Sequence, residues 1–260
     1  MNELVQDTLQ SGVSTLLMNM PDRRNALSLE MREALLTRLE KCLADDECQA
    51  IVLTGSGGNF CAGGDLKSER PADAAVAQTL RHKLSRLQAL VRAIAGAGKP
   101  VVAAVDGLAL GAGMSLALAC DVVVASDGSR FGAVFGKVGL TPDAGLFYTL
   151  ARRVGGARAQ NLMLSARLVE APEALTIGLA DAVVEPAALL ERARSEALAL
   201  ARIAPLAFAA IKAVGHGGCT SLEQAFTQEM QLLPLLGLTQ DNREGRQAFA
   251  ERRPPSFRGY

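Results

Sequence analysis

Apolar residues fall into two regimes along this chain. Up to about Ala187, short unbroken apolar runs alternate with helix-spaced ones; beyond it, every apolar stretch has helical spacing. "STLLMNM" (14–20) predicts a strand, closed by "PDRRNALS", a turn rich in proline, charge and asparagine. Ser28 is placed to cap a helix in which Leu29, Leu35, Leu36, Leu39 and Leu43 recur at helical spacing, with Glu30 in its first turn. "AIVLTG" (50–55) has the uninterrupted apolar character of a strand covered on both faces. A glycine loop, "SGGNFCAGGDLK", leads to a long helix predicted over about 74–95, which "GAG" ends before Lys99-Pro100. "VVAAVDG", "AGMSLALAC" and "DVVVAS" then predict strand, buried helix and strand. This alternation implies an α/β fold with parallel pairing, spanning residues 1–200 as the core. "PLAFAAIKAV", "SLEQAFTQEMQLLPLL" and "DNREGRQAFAERR" predict a helical region over 201–260, and the tail "RRPPSFRGY" is expected to order only against a neighbour.

Charge narrows the function classes. The 27 lysines and arginines are balanced by 27 aspartates and glutamates, so no global field points to nucleic acid or an anionic membrane. Val101–Cys120 is nearly long enough and apolar enough to cross a bilayer, yet Gly107, Gly111, Gly113 and Asp106 interrupt it. A strand, a glycine turn and a buried helix account for it better. Five cysteines without a CxxC pair suit free thiols in a reducing compartment, and "MNELVQDTLQSG" lacks the basic and apolar regions of a signal peptide. A cytoplasmic protein is expected. Cys42, Cys48, Cys120 and Cys219 are expected to pack, and Cys61 has no histidine near it in the sequence to activate it as a nucleophile.

Two glycine loops carry the candidate chemistry. "NFCAGGDL" (59–66) and "ALGAGMSLALACD" (109–121) each place tiny residues after a strand and before a possible helix. Small residues admit close backbone approach, and a helix's first turn leaves N–H groups without partners. Side by side, such loops can aim two N–H donors at one oxygen, forming an oxyanion hole. Neither loop spells GxGxxG or ends in GK[ST], so nucleotide-phosphate motifs are absent.

The ordered set "PDRRNALS", "NFCAGGDL", "KPVVAAVDGLALGAGMSLALACDVVVAS", "RFGAVFGKVGLTPDAG", "LARRVG" and "EALTIGLADAVV" resembles the crotonase (enoyl-CoA hydratase/isomerase) superfamily over nearly the whole chain. The resemblance implies a spiral of ββα units, a C-terminal helical region used to build a homotrimer or dimer of trimers, and an acyl-CoA thioester as substrate. It places the two oxyanion N–H donors at Gly64 and Ala112, the latter where the family usually has glycine. It assigns Ala62, Asp65 and Leu66 to the CoA adenine, with Arg23, Arg24 and Lys67 as candidates for its phosphates. No metal or separate cofactor is implied, since CoA arrives with the substrate.

The resemblance also exposes departures. The family's hydratases carry two glutamates where this chain has Ser115 and Phe135, neither of which can act as a carboxylate base. Both, with Phe131, become candidates for the acyl pocket. The tryptophan and histidine of the family's dehalogenases are replaced by Phe135 and Gln88. Asp143, in "GLTPDAG", remains. It lies where isomerases of the family, notably the ring-opening type of phenylacetate degradation, keep an aspartate. Two roles are open for it. As a cap it would accept N–H bonds from Gly145 or Leu146, which lower a carboxylate's pKa. As a proton shuttle it would sit in an apolar pocket that raises it. The expected activity is isomerisation of an enoyl-CoA, with hydration by another route or a silent CoA-binding protein as alternatives.

Overall fold

The computed structural model describes residues 3–66, 73–217 and 219–260. It opens with a hairpin of β1 (Val5–Gln10) and β2 (Val13–Met18), turned through Ser11 and Gly12, both at positive φ. β1 went unpredicted because only Val5 of its six residues is buried, so the strand has no apolar alternation to read. Ser28 caps α1 (Leu29–Ala44) as expected, its Oγ accepting the Met31 N–H at 3.2 Å. β3 (Ala50–Gly55) and α2 (Asp73–Ala95) follow.

The bilayer-length apolar stretch resolves into three short pieces: β4 (Val101–Val105), β5 (Leu108–Leu110) and α3 (Ala112–Leu118). No single helix among the described residues is long and apolar enough to cross a membrane. A second turn repeats the plan with β6 (Val122–Ser126), β7 (Arg130–Gly132), α4 (Leu146–Val154) and α5 (Gly156–Ser165). The core closes with β8 (Leu168–Glu170), α6 (Ala171–Thr176), β9 (Ala182–Val184) and α7 (Leu189–Ala201). Then come α8 (Pro205–Gly217), α9 (Leu222–Gly237) and α10 (Gln240–Glu251).

Six strands form one sheet in the order β1-β2-β3-β4-β6-β9, parallel beyond the hairpin, and β5-β7-β8 form a second. β4-β5-α3 and β6-β7-α4 each give one strand to each sheet before a helix returns the chain, the repeat of an α/β spiral of ββα units. The large sheet is covered on both faces. One packs against α1, α2 and α3; the other buries Val13, Val52, Val102 and Val124 against Leu189, Ala193 and Ala197 of α7. Double coverage explains the unbroken apolar runs of β3 and β4, in which every β4 residue is buried.

Two expectations are corrected. Cys219 is exposed rather than packed, because the chain there runs between α8 and α9 at the surface. The tail orders against its own chain: the buried Asp241 carboxylate accepts the N–H groups of Arg258 and Gly259 at 2.7 and 2.8 Å, and Glu244 accepts that of Ser256.

Candidate active site

The two glycine loops run side by side. Cys61 N donates to Leu108 O at 2.8 Å and Leu110 N to Cys61 O at 3.0 Å, a short parallel ladder that extends the smaller sheet into the first loop. Leu27 N fixes that loop from the other side through Gly63 O, 2.8 Å away. The contact tolerates no side chains. A Cβ on Gly113 would lie 2.2 Å from Cys61 O, and one on Gly63 would lie 2.7 Å from Leu110 O and 3.5 Å from Ala112 N. Gly111, at φ +51 and ψ −124, turns the second loop sharply into α3, a conformation for glycine. Residues 60–66 of the first loop are themselves irregular. Gly64 and Ala112 nevertheless end up on adjoining loops, and neither N–H donates to a described residue. Ala112 is the first residue of α3, where the N–H has no intrahelical acceptor.

Asp143 follows the 3-10 turn Val134–Val138 and precedes α4. It does not cap that helix through its side chain. Ala144 and Gly145 both have positive φ, Gly145 takes the cap position, and it is the main-chain carbonyl of Asp143 that accepts Leu146 N at 3.0 Å. The same carbonyl accepts the Ser115 hydroxyl at 3.1 Å, tying Asp143 to α3. The carboxylate is thereby left over. Its Oδ1 is the one buried side-chain nitrogen or oxygen among the described residues without a hydrogen-bond partner. Burial pushes its pKa above the ordinary carboxylate value, and the charge of Arg32 pulls it partly back. A carboxylate held this way is a better base than an exposed or capping one.

Arg32 was not singled out from the sequence. It stands on the apolar stripe of α1, three residues after Leu29 and three before Leu35, and is buried. An arginine interrupting an apolar stripe was the available signal.

The other expected site residues scatter around this centre. Phe135 is buried with its ring 3.8 Å from where a Gly111 Cβ would be; Phe131 is wholly buried in β7, and Ser115 wholly buried in α3. Ser115 spends its hydroxyl on Gly111 O and Asp143 O, so it braces the loop. Arg23 Nη1 reaches Asp65 Oδ2 at 2.8 Å, with the arginine half exposed and the aspartate nearly covered. Arg24 accepts Ala62 N through its main-chain oxygen at 2.9 Å, and Leu66 is exposed. These residues form one rim beside Gly64. Lys67 lies outside the described residues. Cys61 is fully buried, and desolvation pushes its thiol up to about 12, so it stays protonated.

A family model for enoyl-CoA hydratase/isomerase matches residues 8–260. The 2,3-dehydroadipyl-CoA hydratase of Escherichia coli K12 is 38% identical over 260 residues, covering 100% of both chains. The 1,2-epoxyphenylacetyl-CoA isomerase of the same organism is 35% identical over 261 residues, again covering 100% of both. Among solved structures, an enoyl-CoA hydratase from Bacillus anthracis superposes with a TM-score of 0.91 at 31% identity, covering 99% of this chain and 100% of that one. Hydratases and isomerases thus lie at comparable distance.

Proposed function

The chain belongs to the enoyl-CoA hydratase/isomerase family, whose substrates are acyl-CoA thioesters, and from that premise we propose that it is an isomerase in which Asp143 shuttles a proton. The observation that carries this is the buried, unpartnered Oδ1 of Asp143, raised in pKa, in a site whose other two acid positions are Ser115 and Phe135. The thioester carbonyl accepts hydrogen bonds from Gly64 N–H and Ala112 N–H. Asp143 takes a proton from an acyl carbon, and the C–H electron pair moves into an enolate whose oxygen those two donors stabilise. Protonation at a different carbon returns the proton from Asp143 and shifts the double bond. The step is redox-neutral and regenerates the carboxylate, so it calls for neither metal nor redox cofactor. Loss of one such donor costs about 2.7–4 kcal/mol of transition-state stabilisation. Arg23, Arg24 and Lys67 serve the CoA phosphates and the stretch Ala62–Leu66 its adenine, while Phe131, Phe135 and Ser115 back the acyl compartment.

Names among the relatives keep hydration as the second reading, with water activated by another group. Purified protein incubated with 3-enoyl-, 2-enoyl- and ring-epoxide CoA esters, followed by mass spectrometry, separates them. Rearrangement without mass change is expected; gain of one water supports the hydratase, and CoA binding without turnover a silent homologue. Asp143→Asn is expected to lower isomerisation by about 100-fold or more with CoA affinity retained. Full activity in that variant removes Asp143 from the mechanism.

A further inference from the structure

Arg32 occupies an unusual position for a cation: only 8% of its surface is exposed. Its Nε donates to Leu27 O at 3.0 Å, and Nη1 donates to Lys83 O on α2. Nη2 donates to no described residue, and no described carboxylate makes a direct ion pair with it. Burying a guanidinium without a counter-charge is costly, so a fold that keeps one there places an anionic group within electrostatic reach. A chain of contacts leads from Arg32 to Asp143. Leu27, whose carbonyl holds Arg32, donates its N–H to Gly63 O, and a Gly63 Cβ would lie 3.5 Å from Ala112 N. Ser115, in the helix that Ala112 opens, holds the Asp143 carbonyl, so the two charges act on each other. The connectivity supports the juxtaposition. Leu27, which holds Arg32, also bridges the first glycine loop at Gly64; Ser115, which holds Asp143, belongs to the helix opened by Ala112. Each charge is therefore fastened to one of the two oxyanion loops.

We propose that Arg32 is a positioning residue for proton transfer: clamped by the main chain of Leu27 and Lys83, its fixed charge holds the Asp143 carboxylate in the anionic, proton-accepting form. This rests on the assignment of Asp143 as proton shuttle. A buried carboxylate left to itself would protonate and lose its function as a base; Arg32 opposes that without neutralising it by direct contact. No other described group does the same. From the first loop comes the Cys61 thiol, kept neutral by burial; from α3 the Ser115 hydroxyl; from the 3-10 turn the Phe135 ring. On α2, Lys83 acts on Glu30, and Arg86 and His82 on Glu33. Arginine suits the task because its fork can serve two carbonyls at once and it does not deprotonate.

The test compares wild type with Arg32→Met, Arg32→Gln and Arg32→Lys. The kcat/KM for 3-enoyl-CoA isomerisation is measured against pH, and the Asp143 carboxyl is titrated by 13C NMR, with Asp143→Asn assigning the signal. In Arg32→Met the acidic limb is expected at higher pH, so activity at the acid end falls about tenfold more than at the alkaline end. The NMR titration moves the same way. Arg32→Lys restores both toward wild type, which a purely structural role would not require. Arg32→Gln, with donors but no charge, carries the test if the methionine variant does not fold. An unmoved Asp143 titration in a folded charge-free variant overturns the proposal. A moved titration with an unmoved rate profile supports the Arg32–Asp143 coupling and overturns the shuttle assignment instead.

Discussion

Asp143 combines two properties that seldom coexist in a carboxylate, burial and an unspent oxygen. The combination has a consequence for stability. Because its pKa is raised on folding, the folded state binds the proton more tightly than the unfolded chain. The group's stabilising contribution is therefore complete below its unfolded pKa and is lost as pH rises through the folded value. At neutral pH the ionised side chain is a burden. Asp143→Asn is accordingly expected to raise the unfolding free energy at neutral pH by about 1 kcal/mol, the gain shrinking as pH falls toward the ordinary carboxylate range. Urea titrations of both proteins at two pH values measure this, and equal stability throughout would mean the carboxylate is adequately solvated.

Between elements, the most enclosed charge pair among the described residues is Lys212–Asp121, at 2.8 Å with side chains 3% and 12% exposed. Asp121 Oδ2 also accepts Val101 N at 2.8 Å, so one oxygen links α8 to the start of β4. Lys212→Met leaves that carboxylate buried without its cation, and is expected to cost about 3–5 kcal/mol, read as a lower urea midpoint. An unchanged midpoint would show that α8 is held by apolar contacts instead. The same scale explains what could be read in advance. Ser28 and the glycine loops are local signals, set by a cap and by small residues in sequence order. Arg32 and the Asp241–tail contacts depend on partners far along the chain: Lys83 is 51 residues from Arg32, and Arg258 lies 17 from Asp241. No window of local periodicity contains such pairs.

For the molecule as a whole, α9 and its end expose Leu222, Met230, Leu233, Leu235 and Leu238, each more than 60% accessible. Large exposed apolar surface of this kind marks an association site. We propose that it serves the homotrimer or dimer of trimers expected for 201–260. Sedimentation equilibrium is expected to give three or six times the chain mass, and the double substitution Met230→Glu, Leu233→Glu is expected to shift the protein toward monomer. A wild-type monomer at micromolar concentration would leave that face without this role.

The order of apolar runs, glycine turns and helix caps determined the α/β class and the two loops, because each depends on neighbours a few residues apart; the family was legible only as a resemblance carried by the whole ordered set of motifs. Whether Asp143 caps a helix was beyond that reach. The answer depended on two positive-φ residues after it, on a serine 28 positions earlier that takes its main-chain oxygen, and on an arginine more than a hundred positions earlier. Burial and electrostatic proximity are properties of packed surfaces, and only the folded chain brings those groups near enough for their charges to act on each other.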